Sequence, residues 1–306
     1  MTMPAATLST ARVASVTIAL DPEPQRLLEQ MRALAGQVEM AIIVDNGSTR
    51  PVEPMLAGSA LPAHTVRLES NQGVARGFNV GIDAAASLGA THVLLLDHDS
   101  VPGPNMVFVL REALKKASAR NVAAVGPRIR DPRDRRELPF IQLGWLRNRH
   151  VRPRRGDQLI PCDFLISSGS LVPIDAYRRV GKFDESLFVD NVDLEWCMRA
   201  RAQGFSLYGA AAAYLEHQLG DRRYPVGRKM RLIVHSPERV YYMTRNRLLL
   251  YRRPYMPLKW KVKDSVRIVA KFTATMLFLP PRREYARMTW RGLRDAWRLR
   301  AGKLQQ

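Results

Sequence analysis

The run Val93-Leu94-Leu95-Leu96-Asp97-His98-Asp99-Ser100 decides how this chain folds. Four consecutive aliphatic residues read as a strand buried on both faces. The strand stops in an acidic turn. Side chains alternate along extended chain, so Asp97 and Asp99 can point the same way. Their like charges repel unless a cation lies between them. Magnesium is commonly held by one or two carboxylates together with substrate phosphates. An isolated Asp-X-Asp is more often a solvated turn; the buried strand and the neighbouring motifs favour the cation here.

The same pattern recurs on both sides of this run. Val13 to Leu20 and Met40 to Val44 are short apolar runs, and Val66 to Leu68 is a candidate third strand. Between them, Pro22 to Ala35 carries Leu27, Leu28, Met31 and Leu34 at helical spacing. Gly73 to Leu88 and Asn105 to Arg120 read as helices, and Val122 to Val125 as a strand. Strands alternating with helices predict an α/β fold, a Rossmann-like and mostly parallel sheet flanked by helices. Ligands gather at the carboxyl ends of such strands. Residues 1–11 read as a loose leader, and 128–158, rich in Arg and Pro, as a surface loop. Leu165 to Pro173 returns to the core, and Val192 to Gln203 is a helix ending at Gly204. Beyond His217 the pattern is helical and basic.

Two further motifs sit at strand ends. Asp45-Asn46-Gly47-Ser48 is a turn by residue type, and it offers Asp45 as acceptor for the imide N–H of a pyrimidine. Asn71-Gln72-Gly73-Val74-Ala75-Arg76-Gly77 puts glycines at a helix start, where unpaired N–H groups suit an anion and Arg76 could reach a diphosphate.

Charge is unevenly spread over the 306 residues. The net charge is +20, and residues 222–306 hold 23 Lys/Arg against 4 Asp/Glu. A balanced domain is thus followed by a basic extension suited to a polyanion, either anionic lipid or nucleic acid. The extension has no zinc spacing, RNA-binding aromatic motif or recognition-helix pattern, which points away from nucleic acid. No apolar run is long enough to span a membrane, and no signal peptide is evident. Cys162 and Cys197 read as structural thiols in a reducing compartment.

Several ordered motifs together resemble the family 2 glycosyltransferases, most closely their bacterial rhamnosyltransferase branch. The matching stretches are Val44-Asp45-Asn46-Gly47-Ser48, Asn71-Gln72-Gly73-Val74-Ala75 and Leu95-Leu96-Asp97-His98-Asp99-Ser100. Further matches are Ile166-Ser167-Ser168-Gly169-Ser170-Leu171, Phe188-Val189-Asp190-Asn191-Val192-Asp193-Leu194-Glu195-Trp196-Cys197, Glu216-His217-Gln218-Leu219-Gly220 and Tyr241-Tyr242 with Arg245-Asn246.

The resemblance implies a GT-A fold over about 12–225; the charge and apolar stretches beyond it predict a basic, helical, membrane-associating extension over 226–306. It implies an inverting transfer of a sugar from a nucleotide-sugar donor, dTDP-rhamnose, to a lipid-linked glycan acceptor, with magnesium or manganese. The setting would be the cytoplasmic face of the plasma membrane, on an anionic surface. Galactofuranose or another deoxyhexose is the alternative sugar. A silent scaffold and a nucleic-acid-binding protein are the rival classes.

Carried over residue by residue, Asp45, Asn46, Asn71, Gly73, Arg76 and Asp97 would bind donor. Asp97, Asp99 and His217 would hold the metal. Ser168, Gly169 and Trp196 would line the sugar or acceptor pocket. The family's usual base position holds Asn191, an amide, so the base falls to Asp190 or Asp193, with Asp190, read as a helix N-cap, placed first. The family's Thr-Tyr-Asn-Pro after the first strand is replaced by Thr17-Ile18-Ala19-Leu20-Asp21-Pro22, which alters the contacts expected around the base and ribose.

Overall fold

The computed structural model describes residues 11–305 except 118–120, 134–136, 154–155, 157, 219–221, 227–229 and 279. The expected leader lies outside the described residues but for its last one. In chain order the elements are β1 (Val13–Ala19), α1 (Pro24–Leu34), β2 (Met40–Asp45), β3 (Ala63–Arg67), α2 (Val74–Ser87), β4 (His92–Asp97), β5 (Val101–Pro102), α3 (Met106–Lys116) and β6 (Val122–Arg130). There follow β7 (Phe140–Gln142), β8 (Arg149–Val151), β9 (Leu159–Cys162), β10 (Leu171–Pro173), α4 (Ile174–Val180), α5 (Val192–Ala202) and β11 (Ser206–Glu216). The chain ends with β12 (Arg222–Val226), β13 (Met230–Val234), α6 (Pro237–Tyr251), α7 (Leu258–Phe278) and α8 (Arg282–Trp297).

The main sheet runs β3-β2-β1-β4-β10-β6-β11-β5, with β9 also paired to β11. Its first half, β3-β2-β1-β4, is parallel, as the alternation of strands and helices requires. The apolar runs lack alternation because both faces are covered. In β4, Val93 and Leu95 enter a core with Phe78, Ile82 and Ala85 of α2. Leu94 and Leu96 enter the opposite core with Leu27, Met31 and Leu34 of α1. Each such side chain contributes roughly 1.5–3 kcal/mol on burial. In register, Ala19 faces Asp45 and Ile18 faces Asp97, so both acidic turns leave the same sheet edge beside the end of β1.

The second half departs from the alternation. β10 is antiparallel to both β4 and β6, while β11 is parallel to β6 and antiparallel to β5 and β9. Residues 128–158 are not simply a surface loop: β6 continues to Arg130, and β7 and β8 form a small hairpin. Residues 222–234, expected to be helical, contain the β12–β13 hairpin, and helices begin only at Pro237. α6 packs against α8 and also closes one wall of the main cleft. The expected boundary near residue 225 therefore does not separate the cleft from the basic extension. Cys162 and Cys197 are free and buried. No helix among the described residues is long and apolar enough to cross a membrane.

Candidate active site

The acidic turn after β4 is fixed from α1. Gln30 is fully buried and donates from Nε2 to the carbonyls of Asp97 at 2.8 Å and Ser100 at 2.6 Å. Its Oε1 accepts from Thr17 Oγ1 at 2.8 Å. A buried amide with all these partners rigidifies the backbone that carries both carboxylates. Nothing in an amphipathic helix pattern singles out Gln30, so the sequence reading missed it.

His217 follows the last residue of β11, and its N–H donates to the carbonyl of Arg130 at 3.0 Å. The pairing of Glu216 with Val101 brings it beside the acidic turn. His217 Nδ1 lies 3.2 Å from Asp99 Oδ1 and 2.9 Å from Ser100 Oγ, while Nε2 lies 4.0 Å from Asp97 Oδ2. One ligand atom from each of Asp97, Asp99 and His217 falls within 4.8 Å of the others. Burial raises the Asp97 carboxyl above its ordinary value, partly offset by His217. Burial also acts to raise Asp99, but the hydrogen bond and charge of His217 outweigh it and hold Asp99 low. Burial acts to lower His217, yet the bond to Asp99 and the charges of Asp97 and Asp99 leave it raised. One imidazole and two carboxylates with ligand atoms this close are a chemically suitable donor set for manganese or magnesium.

These three residues line a cleft of about 810 Å³. Asn46, Asn71, Gly73, Ser168, Asp190, Asn191 and Asp193 line it as well, and Val74 N donates to the carbonyl of Phe188, which ties the start of α2 to the loop before α5. Ser168 Oγ bonds Ser100 Oγ at 2.6 Å and accepts from the Asp97 N–H at 3.2 Å, which ties it to the acidic turn.

The loop before α5 is unusual backbone. Phe188, Asp190 and Asn191 all have positive φ, at 64°, 62° and 64°. Non-glycine residues rarely adopt such values, so surrounding contacts must impose them. Those contacts come from α6. Fully buried Arg245 donates to the carbonyls of Ser186, Leu187 and Gly302. Asn246 Nδ2 donates to the carbonyls of Leu187, Val189 and Asp190 at 2.9, 2.7 and 2.9 Å. Arg239, also missed in the sequence, grips Asp190 from the same helix. The N-cap of α5 is Asn191, not Asp190. Asp193 lies in the first turn of α5, and burial pushes its carboxyl up to about 6, aided by the charges of Asp190 and Asp97.

Other expected site residues lie elsewhere. Asp45 sits beneath the cleft with no exposed surface. Its carboxylate accepts from Ser48 N at 2.8 Å, Val52 N at 3.3 Å and Arg67 Nη1 at 3.1 Å, so it serves the turn and leaves Asn46 facing the cavity. Arg76 points to Glu185, 3.3 Å away, and does not line the cleft. The start of α2 is not a free anion site, because Gly73 N donates to Asn71 Oδ1 and Val74 N to the carbonyl of Phe188. Gly73 is glycine for another reason: φ is 88°, and a Cβ there would lie 2.4 Å from the Phe188 oxygen. Gly169 forms a turn packed on Pro127 and Leu215 rather than lining the pocket. Trp196 is core, 2% exposed, with Nε1 donating to the carbonyl of Gly181.

A parallel half-sheet with an acidic turn, a carboxylate-rich cleft and a metal-type triad at its carboxyl edge is a Rossmann-like frame carrying a candidate metal-dependent active site. The model of glycosyl transferase family 2 matches residues 18–180, more than half of the chain, and the chain belongs to that family. It is a glycosyltransferase. It is 28% identical over 262 residues to the dTDP-rhamnosyl transferase RfbF of Shigella flexneri, covering 84% of this chain and 85% of that one. It is 27% identical over 233 residues to the galactofuranosyltransferase GlfT1 of Mycolicibacterium smegmatis, covering 72% and 76%. It is 26% identical over 286 residues to an N-acetylglucosaminyl-diphospho-decaprenol L-rhamnosyltransferase of Mycobacterium tuberculosis, covering 83% and 89%. Among solved structures, GalNAc-T7 with UDP, GalNAc and Mn2+ matches with a TM-score of 0.58 at 12% identity, over 90% of this chain and 59% of that one. S. aureus TarS 1-349 in complex with UDP-GlcNAc matches with a TM-score of 0.57 at 14% identity, over 94% and 81%. These structural likenesses bear on the fold alone.

Proposed function

We propose that the protein transfers rhamnose from dTDP-rhamnose to a lipid-linked glycan at the cytoplasmic face of the plasma membrane, with inversion and with a divalent cation. The observation that carries the reading is the meeting, in one cleft, of the Asp97–Asp99–His217 triad and the raised carboxyl of Asp193. The relatives' names supply the sugar and the lipid carrier. When bound, the cation would neutralise the departing diphosphate.

The chain's own residues divide the remaining work. Asn46 donates to Asn71 Oδ1 and accepts from Gln72 N, which leaves one N–H and one lone pair. That amide edge suits the acceptor–donor edge of a pyrimidine, a role Asp45 cannot fill from beneath the turn. Asp193 takes the proton of the attacking hydroxyl, since a base with a pKa near the working pH combines ionisation with proton affinity. Asp190 is committed to Arg239 and shapes the acceptor side.

The test is a panel of nucleotide sugars, including dTDP-rhamnose and UDP-galactofuranose, incubated with the protein with and without manganese. Metal-dependent release of dTDP from dTDP-rhamnose alone is expected. Release only from UDP-galactofuranose would replace the donor, and no release or transfer with any sugar would remove the reading.

A further inference from the structure

The two C-terminal helices have their packing faces on one side and a second apolar face on the other. In α7, the buried residues Trp260, Asp264 and Thr275 cluster on one side at helical spacing. On the opposite side stand Leu258, Val262, Val266 and Val269, which are 62%, 56%, 68% and 64% exposed. In α8 the buried side holds Tyr285, Gly292, Asp295 and Ala296, while Trp290 and Trp297 face out, both more than two-thirds exposed. Helices of water-soluble proteins ordinarily put charge on the face away from the core. Here that face carries an aliphatic ridge on α7 and two tryptophans set among arginines on α8. A third element joins it. Lys259 Nζ donates to the carbonyl of Leu143 at 2.6 Å, and Lys263 Nζ bonds the Gly144 carbonyl and Asn148 Oδ1. These bonds hold against α7 a loop whose tip, Trp145-Leu146, is among the most exposed apolar surface of the chain.

The charges around this surface choose its occupant. Residues 258–306 hold 13 Lys/Arg and 3 Asp/Glu. Two of the three acids are turned inward: Asp264 is buried against Arg247 and Tyr251, and Asp295 against Tyr241. Lys259, Lys263 and Arg267 run down one flank of the α7 ridge, and Arg283, Arg287 and Arg294 down a flank of α8. The ridge spacing of Val262, Val266 and Val269 would also suit a helical seam with a second copy, but antiparallel or parallel pairing would set these basic rails near one another. An anionic bilayer satisfies both features, with aliphatic side chains below the headgroups, tryptophans at their level and Lys/Arg among them.

We infer that the outer face of α7 and α8, with the Trp145-Leu146 loop tip, is a docking surface for an anionic lipid bilayer. This deepens, and rests on, the proposed lipid-linked acceptor. The helix whose other side closes the catalytic cleft, α6, packs directly on α8, so docking would hold the cleft at a fixed height above the lipid. The surface lies in the interface and needs no spanning helix.

The experiment is flotation of the full chain with vesicles of phosphatidylcholine alone or with one-third phosphatidylglycerol. The variant Val262→Asp/Val266→Asp/Val269→Asp changes only exposed positions, and Trp145→Ser/Leu146→Ser is a second, independent variant. The wild type should float with the anionic vesicles, with blue-shifted tryptophan emission, and less with neutral ones or at high salt. Either variant should lose about tenfold or more in partitioning, while keeping its binding of dTDP and manganese. Flotation by both variants equal to wild type overturns the assignment. So does concentration-dependent dimerisation without vesicles that the triple variant abolishes, which would make the ridge a contact between copies. Loss of sugar transfer with flotation intact would instead fault the proposed reaction and leave the surface standing.

Discussion

Arg239 forks across both carboxylate oxygens of Asp190, with Nε 3.1 Å from Oδ2 and 3.2 Å from Oδ1 and Nη2 3.1 Å from Oδ1. A carboxylate so engaged is held in one orientation, with both oxygens accepting from one guanidinium. Asp193, one helical turn on, has no such cation on it among the described residues; its Oδ1 accepts from the N–H of Leu194 at 2.7 Å. The sequence alone ranks Asp190 ahead as base; from its pairing with Arg239 we propose the reverse order. Asp193→Asn should keep donor affinity and lower turnover by roughly 10²–10⁴-fold. Asp190→Asn should lower it less and raise the acceptor KM. Steady-state kinetics on both variants check this, and a dead Asp190→Asn beside an active Asp193→Asn would restore the original order.

The same assignment fixes the sign of the pH dependence. Asp193 works only when ionised, and its pKa is raised to about 6. Activity should therefore be full above that value and fall as pH drops through about 6. His217, also raised, must be neutral to hold a metal, so acid should weaken metal binding as well. Measuring kcat/KM across pH at saturating manganese isolates the first effect. In Asp193→Glu the acid limb should move, whereas a limb due only to His217 would stay where it was.

Metal binding is predicted to depend on the triad as a unit. Asp99 bonds His217, and Asp97 sits across from both. Asp99→Ala should abolish manganese-dependent binding of dTDP in calorimetry without changing the thermal unfolding midpoint much, because Gln30 pins the turn through the backbone rather than through this carboxylate. Unchanged affinity with manganese would move the metal elsewhere.

What the sequence makes legible follows from locality. Strands covered on both faces announce themselves as unbroken apolar runs, so β1, β2 and β4 are readable, and so are the turns at their ends. Asp97, Asp99 and His217 are readable as candidate metal ligands through family motifs, and the fold brings them together. Three things are not. The antiparallel β10 is three residues long, too short to show a period. The β12–β13 hairpin is rich in Arg, which masks its alternation. And the side chains that organise the site from a distance, Gln30, Arg239 and Asn246, act over 49 to 70 positions of sequence separation. Asp45 is a different case. Its motif is legible as a turn, but a turn's first carboxylate is taken by the turn's own N–H groups, so its neighbour faces the cavity.

Asn246 is predicted to be structural with a catalytic consequence. Its amide satisfies three carbonyls of the 187–190 loop, where two residues hold positive φ. Asn246→Leu would take the amide donor from the Val189 and Asp190 carbonyls, while Leu187 keeps Arg245 and the Val189 N–H, a cost of about 1–3 kcal/mol. The loop would relax towards ordinary φ values and carry Asp190 with it. Chemical denaturation should show the loss, and turnover should fall further than dTDP affinity, since Asn46 is held by Asn71 and Gln72 rather than by this loop. An Asn246→Leu protein of wild-type stability would mean the strained loop is held by Arg245 alone.

Asp45 and Asn46 are adjacent, and their substitutions should separate cleanly. Asp45 is fully buried and accepts from two backbone N–H groups and Arg67. Asp45→Asn replaces an acceptor oxygen with a donor, so one of those N–H groups loses its partner, and stability should fall by about 1–3 kcal/mol. Asn46 instead lines the cleft, with one donor and one acceptor site uncommitted. Asn46→Ala should weaken dTDP binding by roughly 3–10-fold, the scale of one or two lost hydrogen bonds. It will also loosen the turn, because the amide bridges to Asn71 and Gln72. Asn46→Asp is the informative control. It keeps the acceptor for the pyrimidine imide and removes the donor, so dTDP affinity should be partly retained while the Asn71 bond is lost. If Asp45→Asn instead abolished dTDP binding at unchanged stability, the base would be read by Asp45 after a rearrangement of the turn, and the role given to Asn46 would fail.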